Sequence, residues 1–266
     1  MKKHIYGVMI VMAMINTLSA GPSGAPQDIE FKAESDQTAQ KYVIILPDPF
    51  DKDKEHLLMI AMHGHGSDRW QYVKDMRGEC KGARDIAAKY DMIFISPDYR
   101  AKTSWMGPKA EVDLKQIIAE VKTRYKISKV LLVGGSMGGT SALIFTALHP
   151  DLISGVSAQN ATANLIDYPN FKDAIVASYG GTAQQIPDEY RRRSPEFFPE
   201  RFNMPVAFTT GGRDTQVPPD SVLRLYEKIK SANPNVLLIH RPEGGHATGY
   251  EDTLAAIEFV VSHILK

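Results

Sequence analysis

From Lys41 onward, short runs rich in Val and Ile alternate with longer segments whose apolar residues recur every three to four positions. That alternation restricts the chain to an α/β architecture, a mainly parallel sheet covered by helices. Tyr42–Leu46, Leu57–Met62, Met92–Ser96, Val130–Val133, Ile153–Ser157, Pro205–Thr209 and Val236–Ile239 are the predicted strands. Several are apolar at nearly every position, as strands buried on both faces are. Glu79–Tyr90, Pro108–Tyr125, Met137–Leu148, Asp220–Lys230 and Tyr250–Leu265 carry helical spacing. In the second of these, Val112, Ile117, Ile118 and Val121 form the inward stripe, while Glu111, Lys115, Glu120 and Lys122 are expected to face water. The interval between Ser157 and Pro205 is too long for an ordinary crossover and predicts a small helical insertion, residues 158–203, over the sheet edge. Its run Arg191-Arg192-Arg193 reads as a solvated helix face. No repeat or linker interrupts the pattern, so residues 41–266 read as one domain.

The first residues follow a different logic. Met1-Lys2-Lys3-His4, an uncharged stretch Ile5–Leu18 and the small residues Ser19-Ala20-Gly21 have the layout of a secretory signal peptide over residues 1–20, with residues 21–40 as an N-terminal extension. The apolar run is shorter than the roughly 20 residues a spanning helix needs, so stable membrane insertion is not expected, and a secreted or periplasmic location is. Lys and Arg total 31 against 31 Asp and Glu. A chain this balanced has no broad basic excess for nucleic acid. The single Cys80 excludes an internal disulfide and any cysteine cluster for structural zinc.

Candidate chemistry collects in loops that follow predicted strands. Lys129–Val133 runs into Gly134-Gly135-Ser136-Met137-Gly138-Gly139 and then a helix, the strand, sharp turn and helix context of a G-x-S-x-G nucleophile. A plain Gly-rich turn or a phosphate loop competes with that account. A dinucleotide loop, however, would open the first strand-helix unit with an acidic residue roughly 20 positions on, and this run lies in mid-chain. A serine hydroxyl needs a histidine to take its proton and a carboxylate to orient the imidazole. Asp214 follows the strand Pro205–Thr209, and His246 follows Val236–Ile239 in Gly244-Gly245-His246. Both therefore sit at the carboxyl edge of the sheet, with Ser136, where open α/β sheets bind ligands. His63-Gly64-His65-Gly66 ends another strand, so the N–H of His65, with Gly66 second, pairs with that of Met137 as a candidate oxyanion hole. His63 and His65 as metal ligands are the rival account, without an obvious third ligand. Trp105, Asn160 and Tyr168 are candidate substrate-lining residues.

These four loops together resemble the α/β-hydrolase superfamily over roughly residues 41–266. Within it the chain is similar to secreted esterases related to polyhydroxyalkanoate depolymerases and feruloyl esterases, and to the catalytic domain of prolyl oligopeptidase-like enzymes. The resemblance implies an α/β-hydrolase fold, a twisted sheet of about eight strands flanked by helices with a small helical cap. It also implies Ser136 as nucleophile, Asp214 as triad acid and His246 as base, with no metal or organic cofactor. The expected reaction is hydrolysis of a small-molecule or polymer-linked carboxylic ester through an acyl-enzyme. A peptidase with the same triad and a non-catalytic binding domain are the alternatives. Two features depart from the pattern: the peptidases usually carry a β-propeller ahead of this domain, and the secreted esterases often carry disulfides.

Overall fold

The structure, a computed structural model, describes residues 24–266. The signal peptide expected over residues 1–20 lies outside the described residues. Eight strands build one sheet: β1 (Gln27–Lys32), β2 (Ala39–Ile45), β3 (His56–Met62), β4 (Ile93–Pro97), β5 (Ile127–Gly135), β6 (Gly155–Gln159), β7 (Val206–Gly211) and β8 (Val236–Arg241). Their order is β1-β2-β4-β3-β5-β6-β7-β8. β2 is antiparallel to β1 and β4, and every other neighbouring pair is parallel. The α/β-hydrolase fold expected from the sequence is therefore the one observed.

β1 corrects the expectation of a plain extension ahead of residue 41. Only Phe31 of this strand is buried, so it carries no apolar run for a sequence pattern to register. It is held by its ladder to β2, with Ile29 opposite Tyr42, and by the Phe31 and Tyr42 rings at 6.0 Å.

Outside the insertion, the helices are α1 (Gln71–Lys74), α2 (Gly78–Lys89), α3 (Pro108–Arg124), α4 (Met137–Leu148), α7 (Asp220–Lys230) and α8 (Tyr250–Ile264). The period-two geometry of β3 divides the core between the two faces of the sheet. Leu58, Ile60 and Met62 pack with Leu114 and Ile117 of α3 and Leu225 of α7. Leu57, Met59 and Ala61 pack on the opposite face with Ala83 and Ile86 of α2 and Ile257 and Val260 of α8. Each fully buried Leu or Ile contributes about 1.5–3 kcal/mol. Cys80 belongs to the second face, buried, with its thiol pushed up to about 12 by burial first and then by the neighbouring Asp75 and Glu79 charges.

Residues 158–203 hold α5 (Lys172–Tyr179), α6 (Pro187–Arg192) and two 3-10 turns, Pro195–Phe197 and Pro199–Arg201. Two expectations fail at the joint between this insertion and α3. Glu111 does not face water, and Arg193 is not on a solvated helix face: the Arg193 side chain is 0% exposed. Its Nη2 donates to Glu111 Oε2 at 2.6 Å, its Nε to Glu189 Oε1 at 2.5 Å and its Nη1 to the Met106 carbonyl at 2.5 Å. Arg192 and His149 complete the cluster, each 2.8 Å from Glu111 Oε1. Burial raises the Glu111 carboxyl, but His149, Arg193 and Arg192 outweigh it and hold it at about 2. A buried guanidinium is tolerable here because its donors meet acceptors on three separate segments.

Candidate active site

β5 enters the turn at Gly134-Gly135, and α4 leaves it at Met137. Ser136 at the apex has φ 58° and ψ −123°, a strained conformation for a residue with a β-carbon. Its backbone is fixed on both sides, by Ser136 N–H to the Gln159 carbonyl at 2.8 Å and by Thr140 N–H to the Ser136 carbonyl at 3.0 Å. Gly138 is required by the close approach of α4 to β3: a β-carbon there would stand 2.0 Å from the Met62 carbonyl oxygen. The elbow thus turns the hydroxyl out at the carboxyl edge of the sheet and sets it at a helix amino end, which favours negative charge.

Two loops, the ones that follow β7 and β8, converge on it. His246 Nε2 lies 2.9 Å from Ser136 Oγ, and His246 Nδ1 lies 2.6 Å from Asp214 Oδ2. Asp214 is buried, and its other oxygen accepts the N–H groups of Gln216 and Val217, each at 2.9 Å. The carboxylate is therefore fixed before it meets the histidine. The Asp214 and His246 loops touch backbone to backbone: Arg213 N–H donates to the Gly244 carbonyl at 2.8 Å. A β-carbon on Gly211 would lie 2.2 Å from the Gly245 carbonyl oxygen, so glycine is what permits the approach. This line of hydrogen bonds can carry a proton from the serine to the imidazole while the carboxylate holds the opposite ring nitrogen.

Among the described residues, the N–H groups of His65 and Met137 have no protein hydrogen-bond partner. The N–H of Gly66, second in the sequence expectation, is engaged by the Lys102 carbonyl at 2.8 Å, and that of Gly64 by Gln71 Oε1 at 2.7 Å. Gln71 has no signal in the sequence, yet it sets the conformation of the loop that carries His65. The two histidines of this loop have separate partners. His63 is buried with Nδ1 2.8 Å from the Gly64 carbonyl and Nε2 3.1 Å from that of Asp98. Burial lowers its affinity for a proton. His65 Nδ1 accepts the Trp105 indole N–H at 3.2 Å, which places any ring proton on Nε2. Burial, then the neighbouring His63, lowers the His65 pKa as well.

The three residues expected to line a substrate pocket have different positions. Trp105 is wholly buried, its ring 5.9 Å from His65 and 5.4 Å from Tyr168. Tyr168 is buried too, its hydroxyl donating to the Gln216 carbonyl at 2.8 Å. Phe171, 4.4 Å from the His65 ring, completes the aromatic group. Asn160 points into the loops instead of a pocket: its amide nitrogen reaches the Gly245 carbonyl at 3.2 Å and Asp214 Oδ2 at 3.4 Å, and its oxygen accepts the Thr248 hydroxyl at 2.5 Å. It braces the Asp214 and His246 loops against β6.

A profile of the prolyl oligopeptidase family matches residues 109–263, more than half of the chain and all three residues of the hydrogen-bonded line. The chain is 28% identical over 134 residues to an α/β-hydrolase domain-containing protein, WAV2, of Arabidopsis thaliana; that stretch is 47% of this chain and 42% of the relative. The chain thus spans less than half the length of that curated protein. Among solved structures, an esterase of Pyrococcus furiosus superposes with TM-score 0.66 at 21% identity, over 91% of this chain and 94% of its own. A fluorophosphonate-binding serine hydrolase of Staphylococcus aureus superposes with TM-score 0.70 at 16% identity, over 91% and 99%. The acylaminoacyl peptidase of Pyrococcus horikoshii superposes with TM-score 0.68 at 13% identity, over 91% of this chain but 41% of its own.

Proposed function

This chain belongs to the prolyl oligopeptidase family and is a serine hydrolase of the α/β-hydrolase type, and from that premise we propose that it hydrolyses carboxylic esters through an acyl-enzyme on Ser136. The observation that carries the reading is the line from Ser136 Oγ through His246 to Asp214, with contacts of 2.9 and 2.6 Å. Ser136 Oγ attacks the ester carbonyl carbon as His246 Nε2 takes its proton. Asp214 keeps the Nδ1 proton in place and stabilises the imidazolium. The carbonyl oxygen, now negative, accepts the N–H groups of Met137 and His65. Collapse of the tetrahedral intermediate breaks the bond to the alcohol, which leaves with the proton from His246. A water then gives its proton to His246 and attacks the acyl carbon, and the second collapse frees the acid and restores Ser136.

An ester is favoured because an alkoxide leaves with less acid assistance than an amine, and because the superposed esterase aligns over nearly its whole length. Family membership favours the second reading, a peptidase with the same residues in the same roles. Side-by-side assays with p-nitrophenyl acetate and peptide anilides separate the two. Faster turnover of the ester is expected, abolished in Ser136→Ala; faster turnover of anilides would overturn the choice. The Met1–Ala20 pattern supports export to the periplasm or medium, which N-terminal sequencing of the mature protein tests.

A further inference from the structure

Beside the hydrogen-bonded line lies a carboxylate that the mechanism above does not use. Glu79, in the first turn of α2, lines a small cleft of about 50 Å³ with Gly64, Gln71, Arg77, Ser136 and His246. Its Oε1 accepts the N–H of Thr248, two residues beyond His246, at 2.9 Å. Its Oε2 lies 3.5 Å from the place a β-carbon on Gly135 would occupy, so the carboxyl also packs against the backbone just ahead of the nucleophile. The start of α2 is pressed into the segment after His246: a β-carbon on Gly78 would stand 2.5 Å from the Tyr250 nitrogen. The charged and titratable groups facing Glu79 are Asp75 and Arg77 ahead of α2, Tyr72 on α1, Cys80 on α2 itself and His246 on the loop. Burial pushes the carboxyl above its ordinary range, against the pull of the Thr248 N–H, Arg77 and His246. Thr248 in turn donates its hydroxyl to Asn160, so one residue links Glu79 to the braces of the Asp214 loop.

We propose that Glu79 is a positioning residue for His246, pinning its loop through Thr248 and holding a second negative charge, besides that of Asp214, toward the imidazolium formed during turnover. The catalytic consequence rests on the roles proposed above for Ser136 and His246. The interaction itself does not, and it can be read independently of activity. Glu79→Gln keeps an acceptor for the Thr248 N–H and removes the charge, whereas Glu79→Ala removes both.

The test is the titration midpoint of the His246 imidazole, followed by NMR in the full chain and assigned with His246→Gln. Removing the negative charge disfavours the imidazolium, so Glu79→Gln is expected to lower the midpoint by about half a unit or more. The acidic limb of kcat/KM for p-nitrophenyl acetate should move to lower pH by the same amount. Glu79→Ala is expected to add a roughly tenfold loss of plateau kcat that Glu79→Gln spares, since only the alanine frees the loop. If Glu79→Ala does not fold, the glutamine variant alone decides. An unchanged His246 midpoint in Glu79→Gln overturns the inference. Fluorophosphonate labelling of Ser136 in the unsubstituted protein reads the parent assignment separately: no labelling with a shifted midpoint would sink the hydrolytic reading and leave the coupling of Glu79 to His246 standing.

Discussion

The proposed catalytic edge and the cap joint lie on the same domain and are held together by opposite means. At the edge, main chains meet directly: the elbow presses on β3 at Gly138, and the Asp214 loop presses on the His246 loop at Gly211. At the joint, side chains bridge the gap, and a buried Arg193 ties the Met106 loop, α3 and α6 through one guanidinium. Backbone contacts of the first kind tolerate no β-carbon and keep their geometry when a catalytic side chain is trimmed. Ionic contacts of the second kind depend on every partner, because a lone buried charge is far more costly than a paired one. The edge is therefore built for fixed geometry and the joint for attachment.

That contrast predicts that side-chain changes at the edge cost rate without stability, and changes at the joint cost stability with little rate. Ser136→Ala should remove roughly 10⁵-fold of kcat for a good ester substrate while leaving the thermal midpoint unchanged, since no hydrogen bond of its hydroxyl holds the turn. Asp214→Asn should cost roughly 10⁴-fold by presenting the wrong tautomer of His246, with the loop still capped. A large fall in thermal midpoint in either variant would break the comparison from the edge side. Arg193→Met should cost about 3 kcal/mol in denaturant unfolding by leaving Glu111 and Glu189 short of a partner. The surviving folded enzyme should turn over within about threefold of the original, and a rate loss without a stability loss would break the comparison from the joint side.

A pH series sharpens the same point. Glu111 is held at about 2 in the fold against an ordinary value of 4.5, so its contribution to stability is full above the upper value and lost as pH falls toward the lower. The thermal midpoint of the unsubstituted protein should therefore fall more steeply than that of Glu111→Gln across this window; parallel curves would refute the role of the cluster. The smallest effect is expected at the exposed pair of Arg213 and Glu243 in the catalytic loops. With side chains 71% and 74% exposed, its loss in Glu243→Ala should change stability by less than about 0.5 kcal/mol.

The same difference in construction determined what could be read from the residues alone. Gly138 and Gly211 stand within three residues of Ser136 and Asp214, so the backbone constraint and the chemistry it serves occur as one local pattern. The seven runs that became β2 to β8 were legible for a related reason, their concentrated apolar residues, buried throughout in β3, β4, β6 and β7 and only half-buried in β8. β1 was not, because a two-residue apolar signal, Ile29 and Phe31, cannot be told from a polar extension. Nor was the cap joint: Arg193 and Glu111 are 82 positions apart, and each by itself looks like a surface charge. Asn160 was picked out but for the wrong purpose, since nothing in sequence indicates whether an amide faces a pocket or braces a loop. Gln71 and Glu79 were silent, because they act through backbone N–H groups that any residue type could offer.

The spacing of the central hydrogen bonds has a consequence for how the molecule comes into being. Ser136 and His246 are separated by 110 positions, and Asp214 lies between them. As the chain is synthesised from its amino end, β5 and α4 can already present the elbow while β8 and the His246 loop do not yet exist. Contacts so distant in sequence also close slowly, because a long loop must be ordered before they form. On the roles proposed for Ser136 and His246, the nascent polypeptide carries the nucleophile before its base is in place, and the two meet only when the His246 loop docks on its neighbour. On that proposal, docking of the His246 loop and the onset of reactivity are one event.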